Sequence, residues 1–191
     1  NSWEAQLEES TVVQAIAGPD ALPQEVFESA AGDSLLSVLA TIQNLFGTSR
    51  VVPEPQEIID IPPAPTDEIR QARDEAADVL GHLNELRAGA GATPLEPSDA
   101  LVAVAERRAV SMYVTGGLYR SDCVGDADVA GIRVTACIDV VALASTALGG
   151  LEGMKESDTA RESLVDPSYD RSGISVVDGP TGRLVVITLA R

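Results

Sequence analysis

Apolar residues recur at helical spacing in two long stretches of the chain. Ile69, Ala72, Ala76, Val79, Leu80, Leu83 and Leu86 share one face, which predicts a helix opened by Thr66 and Asp67 and stopped at Gly89, Ala90 and Gly91. A second helix is predicted from Pro97 and Ser98 to Gly116 and Gly117, with Leu101, Ala105, Ala109 and Met112 inward and Arg107 and Arg108 on its solvent side. Near the end, Ile174 to Val177 and Leu184 to Ala190 flank the turn "DGPTG", which predicts a β-hairpin. The final strand, "LVVITLA", is apolar at nearly every position. It should therefore be covered on both faces, as in the middle layer of a helix-sheet-helix sandwich.

Elsewhere the periodicity is weaker. Between Asp126 and Leu151, Ile132, Val134 and Ala136 alternate as in a strand, whereas "VVALASTALGGLEGM" reads as a helix weakened by Gly149 and Gly150. Ahead of the main pattern, Leu35, Leu36, Val38, Leu39, Ile42, Leu45 and Phe46 predict an amphipathic helix capped by Asp33 or Ser34 and ended by Gly47, with a weaker helix from about Thr11 to Ala17. The stretch "VVPEPQEIIDIPPAP" carries five prolines and is expected to be an extended linker. The expected organisation is a helical extension over residues 1–50, a Pro-rich linker over 51–66 and an α/β domain over 67–191.

Composition narrows the partners. Thirteen basic against thirty acidic residues give a formal charge of -17, which repels nucleic-acid phosphates and anionic membrane surfaces. With 45% hydrophobic but 3% aromatic residues, the core must be built from Ala, Val, Leu and Ile rather than from stacked rings. Lys155 is the single lysine against twelve arginines, a bias associated with a GC-rich bacterial genome. No run of about 18 apolar residues could span a bilayer. The sequence starts at Asn1, which accords with a removed leader.

Few residues offer chemistry. Cys123 and Cys137 are too far apart for a CxxC redox motif and too few for a thiolate metal site. In an exported protein they would pair as a disulfide; in a cytosolic one they would be two buried thiols. The lone His82 lies with Glu75, Asp78 and Glu85 on the polar face of the first helix. An Asp78–His82 pair could offer two metal ligands, but a solvated charge stripe is the simpler reading, and a Ser-His-Asp triad would have to recruit this same surface imidazole. "VGDADVAG" starts like a calcium loop and lacks its downstream Glu. No metal site and no cofactor are expected.

The order of features resembles a known family. "VLGHLNELRAGAGATPLEPSDALVAVAERRAVSM", then "GGLYRSD", "AGIRVTACIDVVA" and "GMKESDTARESLVDPSYDRSGISVV" ahead of the hairpin are similar to the CAP superfamily, which includes cysteine-rich secretory proteins, insect venom antigens and plant pathogenesis-related proteins. The bacterial branch is the nearer match, and the likeness covers roughly residues 68 to 191. It implies a three-layer α-β-α sandwich, an exported or cell-envelope location of actinobacterial type, and with it a Cys123–Cys137 disulfide.

Members that keep their cleft chemistry place two histidines and one or two glutamates around a groove suited to a divalent metal or to acid-base work. Carried over by position, the first His falls on Ser121, the Glu on Ile138 and the second His on Ala160, beside Arg161. The turn "SDTAR" thus has the frame of a site with a methyl group at its centre. Arg161 is expected to serve as a structural donor to nearby carbonyls, and the old cleft to be either closed or a dry apolar pocket. The expected function is therefore non-catalytic binding of a protein partner or of an apolar ligand such as a lipid. The alternatives are a hydrolase using a rearranged set such as Asp139, Glu152 and His82, or an architectural module that forms homodimers through its N-terminal helices.

Overall fold

The computed structural model describes residues 12–16, 57–119 and 122–191. All of them belong to one compact unit built from residues 1–18 and 55–191. The amphipathic helix expected around residues 34–46, and any pairing of chains through it, lie outside the described residues.

The elements in chain order are β1 (Val12–Ile16), β2 (Glu57–Asp60), β3 (Arg70–Gln71), α1 (Arg73–Gly89), β4 (Glu96–Pro97), α2 (Asp99–Thr115) and β5 (Gly117–Tyr119). They continue with α3 (Cys123–Val129), β6 (Cys137–Ala144), α4 (Ala147–Glu156), α5 (Asp158–Val165), β7 (Arg171–Gly179) and β8 (Gly182–Ala190). The main sheet runs β1-β6-β8-β7-β3, with β4 also against β7; the β4–β7 pair is parallel and the others are antiparallel. β2 and β5 form a separate two-stranded ribbon.

Side chains alternate across the sheet with a period of two and so build two cores. On one face Val140, Ala142, Val185 and Ile187 meet Val79 and Leu83 of α1, Leu151 and Met154 of α4, and Ala160 and Leu164 of α5. On the other, Val141, Leu143, Leu184 and Val186 meet Ala105, Ala109, Met112 and Tyr113 of α2. The expected α-β-α layering is present, and Leu184 to Ala190 are buried throughout, as a doubly covered strand requires.

Several boundaries differ from expectation. Thr66–Glu68 is a single 3-10 turn and α1 starts only at Arg73. Ile69, which fits the helical period, instead packs against the α2-side core, opposite the face that α1 fills. Residues 12–16 form a strand rather than a weak helix, laddered onto the open side of β6. Cys137–Ala144 is a strand where a helix was read into its second half, because a segment buried on both faces has no period to read. The helix proper begins at Ala147, where the Thr146 hydroxyl accepts from Gly149 N–H at 3.0 Å. Ile132 and Val134 sit outside any strand and pack beside Cys123 and Cys137.

The second helix matches its signals. Ser98 Oγ accepts from Leu101 N–H at 3.4 Å, and Gly116 ends the helix in the left-handed conformation with φ 76°. The first turn of α2 lies directly on β7 at Gly173. A Cβ there would stand 2.1 Å from the Leu101 carbonyl carbon, so the strand can hold only glycine at that point.

Candidate functional site

Of the positions expected from the resemblance to line a cleft, the two that are described, Ile138 and Ala160, are buried. Ile138 is the second residue of β6 and is 6% exposed; Ala160, near the start of α5, is fully buried. Both belong to the apolar core between the sheet and α1, α4 and α5. Ser121 lies outside the described residues. Arg161 points away from that core, and its guanidinium donates to Asp158 Oδ1 at 2.6 Å rather than to carbonyls.

The role expected of Arg161 belongs to Arg87. From the last turn of α1 its buried guanidinium donates to the carbonyls of Thr93 (2.9 Å), Leu164 (2.7 Å), Asp166 (3.1 Å) and Tyr169 (2.8 Å). Desolvation pushes its pKa below the usual arginine value, while the Asp166 charge acts in the opposite sense. This one side chain ties α1 to the segment leaving α5. It explains how the "SLVDPSY" segment keeps its shape. In the sequence Arg87 reads as an ordinary last-turn cation, since nothing local signals the distant carbonyls.

A second buried cation corrects the reading of α2. Arg108 is only 5% exposed, not on the solvent side; Arg107, its neighbour, is exposed. Arg108 forms ion pairs with Asp139 of β6 and Asp126 of α3. Asp139 is 1% exposed and also accepts from Thr188 Oγ1 at 2.6 Å, its partner in the β6–β8 register. Beside it, the Cys123–Cys137 disulfide, with a Cα separation of 5.5 Å, joins the start of α3 to the start of β6. Asp126 thus serves as a counter-ion within a helix and not as a calcium-loop ligand.

The residues that could have rebuilt a hydrolytic centre stay apart in their bonding. Asp139 is engaged with Arg108 and Thr188; Glu152 is paired with Lys155 at 2.7 Å; His82 is exposed, its Nδ1 2.9 Å from the backbone carbonyl of Asp78. Glu75 is taken by Arg183 at 3.0 Å. Among the described residues, no group of three or more His, Cys, Asp or Glu side chains could hold a metal ion.

An accessible apolar concavity lies elsewhere. A groove of about 350 Å³ opens over β7 between α1 and α2, walled by Ala76, Ala77 and Leu80 on one side and Val102 on the other, with Ile174 and Val176 as its floor. Arg73 and Glu106, 3.6 Å apart, flank it. Neither Ile138 nor Ala160 lines it. The Ser172 hydroxyl does; it is 1% exposed and has no hydrogen-bond partner among the described residues.

A three-layer α-β-α domain closed by an antiparallel hairpin, stapled by one disulfide and braced by two buried arginines defines the class of protein. Residues 80–189 match the family model described as CAP, the cysteine-rich secretory protein family, and the chain belongs to that family. Three solved structures share the fold. A cysteine-rich secretory protein from Staphylococcus aureus superposes with a TM-score of 0.55 at 16% identity, covering 62% of this chain and 38% of that one. An outer surface protein from Borrelia burgdorferi gives 0.59 at 13% identity, covering 64% and 97%. An extracellular SCP-domain protein from Bacillus anthracis gives 0.56 at 14% identity, covering 62% and 41%. The chain therefore spans well under half the length of two of these proteins. No curated protein matches it.

Proposed function

We propose that this chain is an exported or cell-envelope CAP domain that acts by binding rather than by catalysis, and that the groove over β7 takes an apolar group of its target. One observation carries the reading: Ile138 and Ala160, the positions the resemblance assigns to the cleft, are buried in the core, while an apolar concavity stands open beside β7. Apolar walls with a few convergent polar groups are the usual make-up of a ligand pocket. The names of the solved relatives, a secretory protein, an outer surface protein and an extracellular protein, support the location.

The test is native mass spectrometry of the full chain purified from a secreting host, beside the Ala77→Trp variant. Ala77 is exposed on the groove wall, so an indole there fills the groove without disturbing the core. An apolar species carried by the wild type and lost from A77W is expected. Equal retention by both, or a stoichiometric transition metal, overturns the reading.

A further inference from the structure

The outer edge of β7 is paired by described residues at both ends but not in its middle. β4 pairs with it at Arg171 and Ser172, and β3 at Val177 and Asp178. Gly173 to Val176 lie between these contacts, along the groove. In an antiparallel strand, successive residues aim their N–H and C=O groups alternately at one neighbour and the other. The Ser172 carbonyl accepts from Ser98 N–H and the Val176 carbonyl from Ala72 N–H, both at 2.8 Å and both on the side away from β8. By that alternation, Ile174 N–H, Ile174 C=O and Val176 N–H also face outward, and no described residue bonds to them.

Ile174 and Val176 are buried, as is the unpartnered Ser172 hydroxyl on the same wall. Buried main-chain groups without partners are rare in folded proteins, and a cluster of them beside an apolar groove calls for an occupant that can bond to them. A hydrocarbon chain cannot satisfy two N–H donors and a carbonyl. An extended backbone can, since it presents its own carbonyls and N–H groups at the strand repeat.

Resting on the reading of this groove as the binding site, we infer that its target is an extended polypeptide segment that adds to β7 between β4 and β3. One apolar side chain of that segment enters between Ala76, Leu80 and Val102. Its flanking residues are basic, because the chain carries a formal charge of -17 and attracts cationic partners over a Debye length.

The experiment uses the full chain and three probes: a decapeptide alternating Val and Lys, the same peptide N-methylated at alternate backbone amides, and dodecanoic acid as a plain apolar ligand. Amide hydrogen exchange and chemical shifts are followed by NMR. In the free protein, Ile174 and Val176 amides should exchange at least tenfold faster than those of Ser175 and Val177, which face β8. The Val/Lys peptide should slow both, the N-methylated peptide should bind at least tenfold more weakly, and Ala77→Trp should abolish the effect. Equal protection in the free protein, or indifference to N-methylation, overturns the inference. Binding of dodecanoic acid without the peptide also overturns it and leaves the apolar-ligand reading standing; binding of neither probe overturns both.

Discussion

The two buried arginines hold their charges in different ways. Arg87 is surrounded by neutral carbonyls of three loop and helix-end segments, whereas Arg108 sits between carboxylates on two elements joined by a disulfide. Desolvation pushes both guanidiniums below the usual pKa, opposed by Asp166 at Arg87 and by Asp126 at Arg108. The difference teaches what each can tolerate. Loss of Arg87 leaves several neutral acceptors short of one donor; loss of Arg108 leaves the buried Asp139 charge without its counter-ion.

The contrast breaks most visibly at Arg108. Arg108→Met should lower the unfolding free energy by about 3–5 kcal/mol, because an uncompensated buried charge remains, and adding Asp139→Leu should recover most of the loss. Urea denaturation of the single and double variants measures this; a double variant no better than the single would show that packing, not charge, dominates. At Arg87 the effect should be smaller, about 2 kcal/mol for Arg87→Met, and Arg87→Lys should not rescue it, since an ammonium cannot reach the spread of carbonyls that a planar fork reaches. Rescue by Lys would mean that Arg87 acts as a point charge like Arg108.

The smallest effect falls on a buried neutral group. Burial raises the pKa of Tyr113, whose hydroxyl donates to Gly182 C=O at 2.7 Å. A group whose folded pKa lies above its unfolded value stabilises fully below the unfolded value, about 10 for tyrosine, and loses that contribution as pH rises through the folded one. Stability should therefore fall above about pH 10. Tyr113→Phe should cost about 1 kcal/mol at pH 7 and flatten part of that alkaline decline, leaving the share due to Tyr169, which burial also raises. An unchanged alkaline limb in the variant would assign the decline elsewhere.

The same contrast marks what could be read from the residues alone. α1 and α2 carry periodicity and stop glycines, α2 a serine cap as well, and the closing hairpin its turn signal, so their existence is legible, as is the double burial of β8. β6 is not, because "CIDVVALA" is buried at every position and shows no alternation. Ile138 and Ala160 could be named as expected cleft positions by resemblance, but their enclosure in the core depends on residues such as Val79 and Leu83, which come from α1, more than fifty residues earlier in the chain. Arg108 is placed on the solvent side by its local pattern and Arg87 is not singled out by it, for the same reason. Local sequence marks a cation as exposed, and only the tertiary partners, 77 or more residues along for three of the four carbonyls that Arg87 meets, reverse that reading.

Gly173 has a bearing on the groove that its small size conceals. Since Leu101 abuts the strand there with no side chain between them, the neighbouring Val102 is fixed relative to Ile174 as though the two were cast in one piece. One bank of the channel is thus set by the scaffold at rest, so any widening to admit a guest must come from the α1 side.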